Sequence, residues 1–233
     1  MMISSAYKPL NKELKQQFIQ QKIWSAGCPV LLERLSHVKF TYYALENWNP
    51  PTQGEMIVLD AVAPYVAKIF DALRADKFPL HSAKSVHYYG GNDEASMADN
   101  NSSAFNFRLI SGTFKTSLHS YGIAMDINPL QNPFVKISEG NQTIQPLLGI
   151  DYINRSILRP GMINQHVVKI FKENGFNVWG GNWKNPIDYQ HFEIPRALAE
   201  LLVVMNPFEA SDFFTIHVLC VQNHEDFNPP IYQ

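Results

Sequence analysis

Two short segments concentrate the side chains that can do chemistry. One runs Ser117-Leu118-His119-Ser120-Tyr121-Gly122-Ile123-Ala124-Met125-Asp126 and the other Asp188-Tyr189-Gln190-His191-Phe192-Glu193. Zinc in a hydrolase takes three nitrogen or oxygen ligands and keeps a fourth position open. If a turn at Gly122 separates His119 from Asp126, a ligand in the turn and a ligand on the following strand can converge. His191 would then arrive from a neighbouring strand as the third. Asp188, three residues earlier, is spaced to stand beside the metal and take a proton from water that the metal has acidified. Other uses fit the same residues. Asp126 can hydrogen-bond a turn, and Asp188 can be an exposed loop carboxylate. Glu193 alternates with His191, so it can share its face or form an ion pair. The His119–Asp126 spacing is looser than H-E-x-x-H, so spacing alone leaves the metal reading open.

Arg108 sits between Phe107 and Leu109 in an alternating stretch, Phe105–Ile110. A guanidinium among apolar neighbours must be paired or face a cleft. It is either the partner of an acidic residue or a donor to a substrate carboxylate or a developing oxyanion. Tyr121, Trp179 and Trp183 can line a pocket or fill the core.

The elements that must position these groups follow from periodicity. Leu10, Leu14 and Phe18, with Ile19 and Ile23, predict a helix near 11–23. Asn49-Pro50-Pro51 is a break. Met56–Leu59 reads as a strand, and Pro64 starts a helix that carries Val66, Ile69, Phe70 and Leu73 to about Ala75. Ala83–Tyr89, Phe105–Ile110 and Ile123–Ile127 read as strands, the first closed by Gly90-Gly91 and the last by Asn128-Pro129. Residues 130–160, rich in Asn, Pro and Gly, read as one long surface excursion, which in a compact domain usually serves a site. Met162, Val167, Val168 and Phe171 mark a helix that stops at Asn174-Gly175. Gln190–Ile194 is a short strand, Pro195 starts a helix, and Phe213–Val221 reads as a further strand. Helices and short strands mix without a βαβ rhythm. The fold class is therefore α+β, with a small antiparallel sheet flanked by helices.

The 233 residues carry 19 Lys plus Arg against 21 Asp plus Glu. That near-balance argues against nucleic acid as the main partner, which needs a basic surface. The longest apolar runs, such as Leu201–Met205, are far below the roughly 20 residues of a membrane span. Met1–Leu10 shows no apolar signal-peptide segment. Cys28 and Cys220 are too few for a disulfide framework and read as free thiols, although they could pair.

At the two clusters the sequence strongly resembles the zinc D,D- and L,D-peptidases of the M15 type, cell-wall enzymes that include D-alanyl-D-alanine carboxypeptidases. The family pattern S-x-H-x-x-G-x-A-x-D is complete in Ser117, His119, Gly122, Ala124 and Asp126. The second pattern, an acid three residues before His-aromatic-Glu, is met by Asp188, His191, Phe192 and Glu193. Ser103–Arg108, Asp126-Ile127-Asn128-Pro129, Arg159–Ile163 and Trp179-Gly180-Gly181-Asn182-Trp183 resemble a carboxypeptidase-like branch. The resemblance spans roughly residues 54–195. It implies His119, Asp126 and His191 as zinc ligands in a central cleft, Asp188 as general base and Arg108 as substrate or transition-state ligand. It implies that Ser117 supports substrate or ligand geometry, and Tyr121 and Trp183 are expected beside it. The substrate it implies is the peptidoglycan stem peptide, most specifically its D-Ala-D-Ala end. A periplasmic or extracellular setting follows from that substrate, at odds with the missing signal peptide. The expected organisation is an N-terminal helical extension over 1–50, a zinc peptidase domain over 51–207 and a C-terminal tail over 208–233 packed on it. The competing expectations are a zinc-binding, catalytically weak recognition module of the same fold, and a structural protein without metal. The oligomeric state is not legible.

Overall fold

The structure is a computed structural model that describes residues 5–46 and 51–224. Strand β1 (Ala6–Pro9) leads into helix α1 (Lys12–Gln20), where the Asn11 side chain caps the first turn by accepting from the Leu14 N–H at 2.8 Å. Strands β2 (Leu35–Ala44) and β3 (Thr52–Leu59) pair antiparallel from Leu35 opposite Leu59 to Tyr42 opposite Thr52. β1 pairs on the other edge of β2. Helix α2 (Ala63–Ala75) has Pro near its start and buries Val66, Ile69, Phe70 and Leu73. Each such side chain contributes roughly 1.5–3 kcal/mol. Phe70 stacks on Phe40 of β2 with ring centroids 3.7 Å apart, which fixes the helix on the sheet.

Strand β4 (Pro79–Leu80) runs parallel to the end of β2. Next come β5 (Ser82–Ala83), helix α3 (Asp93–Ala98) and β6 (Asn101–Ser102), and β5 pairs with β6. Strand β7 (Ala124–Asp126) is followed by the hairpin β8 (Phe134–Ser138) and β9 (Asn141–Gln145). Helix α4 (Gln165–Glu173), strands β10 (Val178–Trp179), β11 (Ile187–Asp188) and β12 (His191–Glu193), and helices α5 (Arg196–Val204) and α6 (Pro207–Gln222) complete the chain. Two small antiparallel sheets, β10-β12-β7 and β11-β8-β9, hold Asp126, Asp188, His191 and Glu193. The architecture is mixed helix and sheet, as periodicity predicts.

Several local expectations are corrected. Phe213–Val221 is helical, not a strand. Asn206 caps α6 by accepting from the Phe208 and Glu209 N–H groups, and Ala210, Phe214, His217, Val218 and Val221 form its buried face. Phe105–Ile110 forms no ladder. Its N–H groups go to scattered acceptors, that of Phe105 to Ile57 and that of Phe107 to Ile23. Of Ala83–Tyr89, the tail from Val86 winds into a 3-10 turn. The 130–160 excursion contains the β8–β9 hairpin and a 3-10 turn at Leu147–Tyr152.

The first 50 residues are more than a helical extension, since they supply β1 and β2 of the largest sheet. One apolar cluster runs from Leu10 to Val218, across the expected boundaries at 50 and 207. The break at Asn49-Pro50 and the end of the tail from residue 225 lie outside the described residues, as do residues 1–4 of the signal-peptide reading. Cys28 and Cys220 are free thiols. The Cys28 thiol donates to the Ser120 carbonyl at 3.4 Å, and burial pushes its pKa up to about 11. No helix among the described residues is long and apolar enough to cross a membrane.

Candidate metal centre and its cleft

The first candidate ligand, His119, is set by a tight turn. Ser117 caps a 3-10 turn, Leu118–Tyr121, by accepting from the His119 N–H at 3.3 Å. Gly122 ends that turn at φ +69, and a Cβ there would meet the Leu59 backbone nitrogen at 2.7 Å. Only glycine lets the turn close against β3. The chain then enters β7.

The other two candidates, Asp126 and His191, are set by register. Across the β7–β12 ladder, His191 stands opposite Asp126, Phe192 opposite Met125 and Glu193 opposite Ala124. Directly opposed residues project to the same face, and neighbours alternate. Asp126, His191 and Glu193 therefore share the cleft face. Met125 and Phe192 are fully buried on the other, where Phe192 stacks on Phe171 at 3.8 Å.

The ligand atoms of His119, Asp126 and His191 lie within 4.8 Å of one another, the one such group among the described residues. His119 Nε2 is 3.2 Å from Asp126 Oδ2 and 3.3 Å from His191 Nδ1, and His191 Nδ1 is 2.9 Å from Asp126 Oδ1. The outward nitrogens are tied. His119 Nδ1 donates to the Ala104 carbonyl at 2.6 Å, and His191 Nε2 donates to Glu193 Oε2 at 2.8 Å. Those bonds select the tautomers that leave His119 Nε2 and His191 Nδ1 as lone-pair donors facing each other. Two imidazole nitrogens and a carboxylate converging on one point need a positive charge between them. The set fits zinc, with three N or O ligands and the remaining position open to the cleft.

The electrostatics point the same way. Burial alone would raise the Asp126 pKa, but the His119 and His191 imidazoles overcome it and hold the carboxyl far below the usual range. Burial would lower the His191 pKa, but its bonds to Asp126 and Glu193 push it up to about 10. The site therefore attracts one positive charge whether a proton or a metal supplies it.

Asp188 lies on β11, opposite Phe134 of β8. Burial first, and the Asp126 charge second, push its pKa up to about 7. Its Oδ1 is buried without a hydrogen-bond partner. The preceding Trp-Gly-Gly-Asn-Trp segment makes room for it, since a Cβ on Gly180 would come 2.5 Å from the Asp188 carbonyl oxygen. Trp179 braces the same stretch by donating its indole N–H to the Tyr189 carbonyl at 2.9 Å.

These groups open into a cleft of about 430 Å³ that is also lined by Arg108, Ser117 and Trp183. The Trp183 ring centroid is 5.5 Å from that of His191. The Arg108 backbone is clamped by Ser120, whose hydroxyl accepts from the Arg108 N–H and lies 3.0 Å from the Arg108 carbonyl. Its guanidinium pairs with Asp93 on α3, Nη2 to Oδ2, at 2.9 Å. Arg108 thus has an acidic partner and also lines the cleft.

The structure brings together all the site residues expected from the sequence except Tyr121. That ring is buried in the core, under the Arg196 guanidinium at 5.9 Å, and does not line the cleft. It follows His119 by two positions in a 3-10 turn and so leaves on another side. Sequence reasoning missed Asp93, which carries no motif, and the Ala104 carbonyl, a backbone group that no residue type announces. Arg196 also lines the cleft and was missed.

Residues 111–194 match the model of a family described as D-alanyl-D-alanine carboxypeptidase, in peptidase family M15. The matched span includes His119, Asp126, Asp188 and His191 and stops short of Arg108. It supports the M15 resemblance independently of the geometry. No curated protein and no solved structure matches the chain.

Proposed function

We propose that this M15-type chain is a zinc peptidase of peptidoglycan stem peptides that removes the terminal D-Ala from a D-Ala-D-Ala end. The observation that carries the reading is the buried three-residue set with a carboxylate, Asp188, whose Oδ1 is buried without a hydrogen-bond partner in the same cleft. His119, Asp126 and His191 would hold the metal. Bound there, zinc would acidify water and polarise the scissile carbonyl.

The remaining steps belong to the chain. Asp188, with a pKa near 7, is poised both to accept a proton from the attacking water and to return it to the leaving amine. Its Oδ1 is buried without a hydrogen-bond partner, so that oxygen is not spent on a static ion pair. Arg108 supplies a guanidinium for the oxyanion or for the substrate's terminal carboxylate. Glu193 and the Ala104 carbonyl hold the two imidazoles in orientation. Ser117 fixes the turn that carries His119, and Trp183 walls the cleft. The partner is a small peptide and the setting is wherever peptidoglycan lies, the periplasm or the cell exterior.

The test combines metal content with turnover. The purified chain should hold about one zinc and release one D-Ala from a stem pentapeptide, with the loss abolished by chelator and read by mass. A cut elsewhere in the peptide would keep the chemistry and change the specificity. Zinc without cleavage of any stem peptide would leave a binding module, and no zinc would overturn the site.

A further inference from the structure

Arg108 enters the cleft from a segment that belongs to no sheet, and a long side chain on such a segment has rotamer freedom to lose. Two contacts remove it. At the backbone, Ser120 Oγ grips both the Arg108 N–H and its carbonyl, and the Ser117 N–H donates to that carbonyl at 3.0 Å. At the head, Asp93 Oδ2 takes Nη2 at 2.9 Å. Asp93 is itself placed. It is the first residue of α3, whose cap is Asn92, and its Oδ1 lies 3.4 Å from Asn106 Nδ2, two residues before Arg108. Both carboxylate oxygens thus face the strip that carries the arginine. Asp93 lines the same cleft as Arg108 and the metal ligands. The Asp93 pair uses Nη2 of Arg108, and Nε is buried without a hydrogen-bond partner, which leaves Nη1 as the nitrogen free to meet a ligand.

From this geometry we infer that Asp93 is the positioning residue for Arg108. It occupies one guanidinium nitrogen so that Nη1 is presented to the reacting peptide in a fixed direction, and it partly neutralises the arginine. The inference rests on the peptidase reading and names what makes its arginine effective. A guanidinium held in place costs no reorganisation when charge develops beside it, whereas a free one must be ordered in the transition state. The partial neutralisation weakens the grip on a ground-state carboxylate. Asp93 therefore acts on kcat more than on KM.

The test is a double-mutant cycle on the zinc-loaded chain with a stem pentapeptide. Asp93→Asn should lower kcat about 10- to 100-fold. It should change KM by no more than about threefold, with zinc content and Tm unmoved. Asp93→Glu should restore part of the loss. In an Arg108→Gln background the same Asp93→Asn change should cost less than about twofold, because the residue through which it acts is gone. An Asp93→Asn enzyme within twofold of wild type overturns the inference. So does an equal fractional loss in both backgrounds, which would mean a general structural effect. Binding of the same peptide to the metal-free chain, followed by tryptophan fluorescence, is measured for all four proteins. If wild type cleaves no stem peptide, the peptidase reading fails on its own. The cycle in affinity then decides Asp93 separately, with coupling expected between the two positions and strict additivity overturning it.

Discussion

The candidate metal ligands and the arginine lip share one cleft but are built in opposite ways. His119, Asp126 and His191 sit on a paired ladder and a glycine-closed turn, backed by buried Met125 and Phe192. Their orientation is decided by strand register and core packing. Arg108 and Asp93 sit on an unpaired strip and the first residue of a short helix, each about a third exposed. Their orientation depends on polar contacts that water can screen. The loop beyond Arg108 continues the trend. It is closed by a bridge between Leu109 and Thr116, yet its tip leaves Phe114 fully exposed. The three groups that could hold a metal are thus placed by the core, and the arginine beside them by the rim.

The largest expected effect is on the core side. His119→Ala removes one of the three ligands and leaves Asp126 and His191 with a broken set, so zinc should drop from about one per chain to near none. Stoichiometric zinc by elemental analysis in that variant would remove His119 from the ligand set. Asp188→Asn should come next, with turnover down at least about a hundredfold and zinc retained. Wild-type rates would show that the base lies elsewhere.

The same variant makes a stability prediction. The Asp188 carboxyl has a folded pKa near 7, above its ordinary value of 3.8. Folded chain therefore keeps a proton there that unfolded chain has released, so this group favours the fold at low pH. That advantage is lost as pH rises through 7. Asp188→Asn should raise the Tm of the metal-free chain by about 5 °C at pH 8 and by much less at pH 5. A difference that does not grow with pH contradicts the assigned shift.

A smaller effect is expected one layer out. Glu193→Gln loosens the hold on His191 Nε2 and should weaken zinc about 10- to 100-fold, read by competition with a chelator of known affinity. Unchanged affinity would make Glu193 a bystander. The smallest effect belongs to the rim tip. Phe114→Ser should leave Tm within about 2 °C, since an exposed side chain contributes little to the fold. A large drop in melting would show that the tip is packed after all.

What could be read in the sequence follows the same division. The grouping of His119, Asp126 and His191 was legible through the two motifs of the family resemblance, because His191 lies 65 positions from Asp126 and spacing alone left the metal reading open. The fold class was legible from mixed periodicities, and α2 and α4 from three-and-four spacing. Phe213–Val221 misled because its aromatic and β-branched residues suit a strand. The deciding signals were the Asn206-Pro207 start and the spacing of Ala210, Phe214, Val218 and Val221. Tyr121 misled because closeness in sequence to a ligand is not closeness in space inside a 3-10 turn. Asp93 was illegible because its partner is 15 positions away and joined through a fold contact. The role of residues 35–44 as an inner strand was hidden because burial on both faces erases alternation.

The register of β7 against β12 has a practical consequence. A shift of β12 by one residue would turn Phe192 to the cleft and bury His191, so ligands and core would be lost together. No arrangement of that ladder keeps an intact interior with a scrambled site. Capacity for zinc under saturating metal should therefore be a check on that register. A metal count taken after saturation with zinc would then fall with the fraction of chains in which that register had slipped.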